Sequence, residues 1–437
     1  MSSEKGLILM KSILKYIAVF LAVVMFCTVA LSSVATIPRN RIQNNLEKSA
    51  EYLTAHETHF RRYLVPGVTS SMVDEVADAN LLNIAYFLDS AHPLQSAMRC
   101  DCYYTRGHEN DMFRDAVMGD ILPNEQYFRY WHGSLIFIRP LLMLLNIQQI
   151  YWFHSVVLAV LMVCLLFLLF RHGLQKENLA LILSMIAVSL WTVPMCLEFT
   201  WMFLLMFIVS IVAVLLALKE EYSCFGLLFF ITGMITIFLD FFTTETLTVL
   251  IPLLLTLRIR KQQGKTKSGK FALKCCVLWG IGYVTMWAAK WGLASLVLKT
   301  NVISSIHSNV DEHLASAGYS TQLSYLLSIL QKNLFCLFPV SIGFLGAIMI
   351  FLAIFFFVFL PICQNRIVLK KEILWSAVGY YTALGVIPYF RFVAIPHHSW
   401  YHYFFTYRTQ AASVMAFCFI VLELLEYKPK RRLIRAE

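Results

Sequence analysis

Residues 150–170 read IYWFHSVVLAVLMVCLLFLLF, an unbroken run without one Asp, Glu, Lys or Arg. About twenty apolar residues are what an α-helix needs to cross the roughly 30 Å hydrocarbon core of a bilayer. Inside that core only helices and closed barrels satisfy their own backbone hydrogen bonds, so the run predicts a spanning helix. Comparable runs lie near 13–36, 178–196, 200–218, 222–241, 245–257, 271–296, 334–362, 373–390 and 404–426. The chain therefore reads as all-α, a polytopic transmembrane helix bundle of about ten spans. Composition agrees: of 437 residues, 59% are hydrophobic and 14% charged, where a soluble globular chain carries about 25% charged. A soluble enzyme, a secreted disulfide scaffold and a disordered chain are excluded. Most of the 11 cysteines sit inside the apolar runs, where Cys behaves as a small apolar side chain.

The net charge of +10 sorts by position. Lys5, Lys11 and Lys15 precede or open the first run, and Lys428, Lys430, Arg431, Arg432 and Arg435 follow the last. Alternate loops hold Arg171 and Lys176, then Lys219, then the cluster Arg258, Arg260, Lys261, Lys265, Lys267, Lys270 and Lys274, then Arg366, Lys370 and Lys371. An even number of spans puts all of these on one face, which the positive-inside rule makes cytoplasmic. Both termini are then expected in the cytoplasm of a plasma-membrane protein, with anionic membrane lipids as partners and no nucleic acid. The first run, ending in the small residues Ser33-Val34-Ala35, also fits a cleavable signal peptide; its length and the even count favour a span.

The chain divides as 1–37, the N-terminus and first span; 38–149, a long outer loop with interfacial helices; 150–426, the bundle with short loops; and 427–437, a basic tail. Cytoplasmic loops are short connectors, so any chemistry is expected at the outer face. There Ser71-Met72-Val73-Asp74 leads into a helical pattern that sets Asp74 and Asp78 four apart on one face. Two such carboxylates suit a general base or a divalent cation, and equally the N-terminus of a helix, with Ser71 and Asp74 as a capping box. Downstream, Glu125, Arg129, His132 and Arg139 fall within a narrow arc at 100° per residue, predicting an interfacial helix broken near Pro140. Arg129 or Arg139 suits a phosphate, as an ordinary lipid headgroup contact or as part of a site. Asp240 and Glu245 bracket a turn at the membrane edge, where a carboxylate serves a site or caps a helix; Glu198 raises a weaker form of the same question. Lys290, inside the seventh run, fits snorkelling or a buried phosphate. The last outer loop, PHHSWYHYFFTYR, puts His398 and His402 four apart beside Arg408, suited to sugar or phosphate hydrogen bonding. Zinc lacks a third identified ligand there.

One motif carries no function. Gly264 to Lys270 matches GxxxxGK, but Phe271 stands where a Ser or Thr would bind magnesium, and no strand precedes it.

The layout resembles the C-type (GT-C) superfamily of integral-membrane glycosyltransferases. The blocks DEVADANLLNIAY, RYWHGSLIFIRPLL, DFFTTETLTVLIPLL and HHSWYHYFFTYRTQ are similar to blocks of poorly characterised bacterial polytopic membrane proteins, and they span nearly the whole chain. The resemblance implies a polyprenyl-phosphate-linked sugar donor, an acceptor of unspecified identity, and an acidic residue of the first outer loop near the acceptor or a divalent metal ion. Asp74 and Asp78 match that acid; they lie farther beyond the first span than is usual, which keeps Asp111, Asp115 and Asp240 as alternatives. Arg129, Arg139, Lys290 and Arg408 would meet the phosphate, and His132, His398 and His402 would orient substrate. A transporter or flippase of a lipid-linked or anionic substrate, and an envelope acyl- or phosphotransferase using His132 or His402, are the rival expectations. No inverted repeat favours the transporter.

Overall fold

Among the described helices, three start at a polar side chain that accepts a backbone N–H: Asp74, Asn146 and Thr321. Asn146 accepts a hydrogen bond from the Gln149 N–H at 3.0 Å, and the Gln149 side-chain oxygen accepts one from the Asn146 N–H at 3.0 Å. That reciprocal cap opens the helix Ile147–Arg171. The computed structural model describes residues 2–55, 62–105, 107–119, 121–240, 242–265, 267–301, 321–337 and 367–427. In chain order the helices are α1 (Ser2–Ala35), α2 (Gln43–Thr54), α3 (Glu75–Phe87), α4 (Pro93–Arg99), α5 (Glu109–Met118), α6 (Leu135–Leu142), α7 (Ile147–Arg171), α8 (Gln175–Ala187) and α9 (Leu197–Leu218). They continue as α10 (Phe225–Leu239), α11 (Leu247–Gln262), α12 (Ser268–Leu298), α13 (Gln322–Phe335), α14 (Trp375–Ala394), α15 (Pro396–Tyr401), α16 (Tyr403–Thr406) and α17 (Ala411–Leu424). Three two-stranded antiparallel ladders complete the described residues: β1 (Arg62–Tyr63) with β2 (Met72–Val73), β3 (Asp101–Cys102) with β4 (Glu125–Gln126), and β5 (Ile367–Leu369) with β6 (Leu425–Tyr427).

The protein is mostly helical, and among the described residues six helical stretches are long and apolar enough to cross a membrane. They are Met10–Ala35, Ile147–Arg171, Leu197–Leu218, Tyr222–Leu239, Ser268–Leu298 and Tyr403–Leu424. Three further expected spans form helices that fall short of that length or apolarity. The run at 178–196 splits into α8 and a 3-10 turn over Leu190–Met195, parted by Ser189 in the left-handed region at φ 53°. The run at 245–257 becomes α11, 16 residues with Pro252 inside. The run at 373–390 becomes α14, 20 residues with Pro388 inside. The tenth, 334–362, lies mostly outside the described residues.

Small residues let α10 and α12 pack backbone to backbone, as lipid-embedded helices do when no hydrophobic effect drives them together. A Cβ on Gly233 would lie 2.0 Å from the Trp279 carbonyl oxygen, and one on Gly282 would lie 2.1 Å from that of Phe230. The segment between α1 and α7 folds as a layer of short helices over one end of the bundle, hereafter the covered end. The opposite end carries the C-termini of α9, α11 and α17 and the N-termini of α8, α10 and α12, and it is rich in Lys and Arg: the basic end.

One expected element is absent. Residues 125–134 are not helical: Glu125 and Gln126 pair as a strand, the chain then turns, and helix begins only at Leu135, with Pro140 accommodated inside α6. His132 sits at φ 53°, a left-handed conformation that no α-helix propagates through. The shared helical arc of Glu125, Arg129, His132 and Arg139 therefore does not exist.

Candidate functional site

At the covered end a cavity of ≈250 Å³ opens between the loop layer and the bundle. Asp74, Arg129, His132, Glu198, His398 and His402 all line it. Residues from four separate parts of the chain thus converge, and each arrives for a local reason.

Asp74 is the N-cap of α3, its carboxylate accepting the Ala77 N–H at 3.2 Å. The expected capping box shifts by one element: Ser71 instead bonds the backbone of Val65 and Val68, and Asp74 is the cap itself. Asp74 Oδ2 also lies 3.9 Å from Nδ1 of His402. His402 ends α15, and its ring centroid stands 4.7 Å from that of His398 with the planes tilted by 35°. The two histidines are thus neighbours on one wall, as their four-residue spacing predicts.

Asp78 does not line the cavity. It is buried behind Asp74, where it accepts the Leu197 N–H at 2.8 Å, the Tyr151 hydroxyl, and the Cys196 thiol at 3.4 Å. Leu197 is the first residue of α9, so Asp78 supplies from α3 the acceptor that the helix start lacks locally. Burial raises its pKa to about 7; the hydrogen bonds oppose this and the neighbouring Asp74 charge adds to it.

Arg129 half-emerges into the cavity with its guanidinium 5.2 Å from the centre of the Tyr127 ring. Its carbonyl accepts the indole N–H groups of Trp287 at 3.3 Å and Trp291 at 3.1 Å, which fixes this loop to α12. His132 points Nε2 at the Tyr127 carbonyl, 3.0 Å away. A carbonyl only accepts, so Nε2 carries the proton. Burial, with Lys290 and Arg129 adding, lowers its pKa to about 3, so it is neutral at ordinary pH. Gly133 follows because nothing larger fits: a Cβ there would lie 2.4 Å from the Phe238 ring and carbonyl.

Three cations expected to meet phosphate are instead held by backbone carbonyls. Arg139 donates to Ile37 at 2.7 Å and Leu88 at 2.9 Å, stapling the end of α1 to the end of α3. Lys290 donates to Ala97 and Met98, both at 3.1 Å, closing the C-terminus of α4. Arg408 donates to Phe404 at 3.0 Å and to the Thr192 hydroxyl at 2.8 Å. None of the three lines the cavity.

The turn between α10 and α11 stands just outside it. Asp240 accepts the N–H of Thr243 at 3.1 Å and its hydroxyl, with its pKa raised to about 7 by burial and then by Glu245. Glu245 pairs with Arg391 at 3.0 Å. Arg391 also donates to Ser399 at 3.0 Å, to the Phe242 carbonyl, and lies 3.5 Å from Nδ1 of His398. Asp111 and Asp115 pair with Arg114 on α5, away from the cavity lining. Glu198, weighed only weakly from the sequence, lines the cavity, and Arg391, met there only as part of the last outer loop, lies beside His398. An acid at the first turn of an apolar helix was the available signal for Glu198; nothing local distinguishes Arg391.

A second cavity of ≈330 Å³ adjoins the first, sharing Asn80, Ile84, Tyr127 and Arg129 and opening past Tyr104, Glu125 and Gln126. Among the described residues no group of three or more His, Cys, Asp or Glu is placed to hold a metal ion. No family model, curated relative or solved structure matches this chain.

Proposed function

We propose that the protein is a membrane glycosyltransferase that moves a sugar from a polyprenyl-phosphate-linked donor to an envelope or lipid acceptor. In this reading it has about ten spans in a GT-C-like arrangement in the plasma membrane, with both termini cytoplasmic and the covered end extracytoplasmic. The observation that carries the reading is Asp74: a buried carboxylate, held in place by its own cap bond, facing a cavity that also presents His398, His402 and Arg129. Asp74 takes the proton of the acceptor hydroxyl as that oxygen bonds to the anomeric carbon. The bond from that carbon to the lipid phosphate breaks, and the phosphate leaves with the electron pair. Arg129 and the histidine wall stabilise the charge that develops on it. Glu198, on the first turn of α9, is the second carboxylate in reach of the same space. The adjoining cavity, which opens past exposed polar side chains, is the approach for a hydroxyl-bearing acceptor.

The test is incubation of the purified full-length protein with polyprenyl-phosphate sugars, following release of lipid phosphate. Turnover supports the reading. Absence of turnover with every such donor, together with vectorial substrate movement in liposomes, would replace it with the transporter.

A further inference from the structure

At the basic end, a cavity of ≈590 Å³ lies between the α11–α12 connection and the start of α14. Lys261, Lys265 and Lys267 line it together with Ser268, Ser376 and Tyr380, and no carboxylate lines it among the described residues. Lys261 pairs with the buried Glu423 and Lys265 with the exposed Glu220. An ammonium has three donors, so one such contact leaves others available. Lys267 makes no ion pair among the described residues. Positive charge therefore converges on open space, and the backbone leaves room there: a Cβ added at Gly264, Gly269 or Gly379 would meet no atom within 4 Å. Size and charge together suit a phosphate-bearing anion.

The surroundings identify its source. Leu374 and Trp375, at the start of α14, are 48% and 67% exposed, and an exposed Trp at the end of a bundle helix suits the headgroup level of a bilayer. From the cavity a row of exposed apolar side chains, Leu273, Val277, Ile281 and Val284, runs along one face of α12. A soluble anion needs no such track, whereas the acyl chains of a phospholipid would lie along it. A nucleotide is disfavoured because Phe271 occupies the position where a hydroxyl would complete the phosphate loop.

We infer that this cavity binds the phosphate headgroup of an anionic phospholipid, with Lys261, Lys265 and Lys267 around the phosphate and the acyl chains along α12. The site stands about 28 Å along α12 from the Trp287–Arg129 contact, counting 1.5 Å per residue from Ser268, so it is independent of the proposed chemistry. The uncapped N-terminus of α12 adds a favourable dipole end.

Native mass spectrometry of the full-length protein from mixed micelles of phosphatidylglycerol and phosphatidylcholine tests this. The wild type should retain phosphatidylglycerol selectively. Lys265→Gln/Lys267→Gln should weaken that retention about thirtyfold, the scale of two lysine–anion contacts near a membrane surface. Gly269→Leu, which fills the space without changing charge, should weaken it comparably, and an unchanged melting midpoint shows that each variant folds. Equal retention of both lipids, or variants that retain phosphatidylglycerol like the wild type, would overturn the assignment. Displacement of phosphatidylglycerol by inorganic phosphate at equal concentration would overturn the lipid source and leave a soluble-anion site.

Discussion

Two carboxylates four residues apart have opposite surroundings, and that contrast makes their roles separable. Asn caps a helix as well as Asp does, so Asp74→Asn keeps the bond to Ala77 and removes only the charge and basicity. Turnover of a lipid-linked donor should fall by about 10² to 10⁴, the usual worth of a positioned general base, with the melting midpoint little changed. A loss of stability with activity intact would make Asp74 a cap and nothing more. Asp78 should behave the other way. Its folded pKa of about 7 exceeds the unfolded value of about 3.9, so its protonated form stabilises the fold and that contribution is lost as pH rises from about 4 through 7. Asp78→Asn abolishes this titration. Relative to wild type, the variant should gain up to about 1.4 kcal/mol per pH unit across that window, measured by thermal unfolding in detergent at pH 5, 6 and 7. A difference independent of pH would show that Asp78 is charged throughout. The sequence could not separate these residues, nor tell a cation in a site from one in a cage of carbonyls. Arg139, Lys290 and Arg408 owe their cages to segments far away in the chain, and no spacing rule sees those.

At the level of elements, periodicity located most helices and misled where backbone conformation changed within the window. The 100° projection over 125–139 assumes uninterrupted helix, yet the β3–β4 ladder and the left-handed His132 both intervene. The strand partner, 101–102, lies too far upstream for a helical window to include. The capped starts were not singled out either: Asp74, Asn146 and Thr321 each accept a backbone N–H at a helix start in the structure, whereas the spacing pointed to a capping box at Ser71 for the first and to no cap for the other two. The α10–α12 contact was not legible, because a glycine's use depends on what faces it. That difference is measurable. Gly233→Ala and Gly282→Ala place a methyl about 2 Å from a rigid carbonyl of the partner helix, which requires the helices to separate, at a cost of several kcal/mol. Gly280→Ala, where a Cβ meets nothing within 4 Å, should be neutral or stabilise by up to about 1 kcal/mol through helix propensity alone. Unfolding of the three variants in one detergent compares them directly; equal effects would mean that α10 and α12 do not pack through these glycines.

On the scale of the molecule, charged side chains gather at the two ends of an apolar bundle, and this was the most legible feature of the chain because it needs only their positions relative to apolar runs. What the sequence could not give is how the ends are held. At the basic end Arg258 of α11 pairs with Glu177 of α8 at 2.9 Å and with Glu423 of α17 at 2.6 Å, and Lys261 joins Glu423. The three pairings close loops of 81, 165 and 162 residues, so a few buried charges fix helices that are remote in sequence. Removing one partner of a buried network strands the others, costing about 3–5 kcal/mol, while replacing the network by apolar groups is often neutral. Glu423→Gln should therefore destabilise by about 3 kcal/mol, since Arg258 then keeps Glu177 alone and Lys261 loses the carboxylate it pairs with. The combined Glu177→Leu, Arg258→Met, Lys261→Met, Glu423→Leu variant should recover most of that loss. Glu220→Gln, which breaks the exposed pair with Lys265 at the same end, should change little. Equal stability of Glu423→Gln and Glu220→Gln in a detergent unfolding series would show that solvent reaches Arg258, and the ends would then be held by helix packing alone.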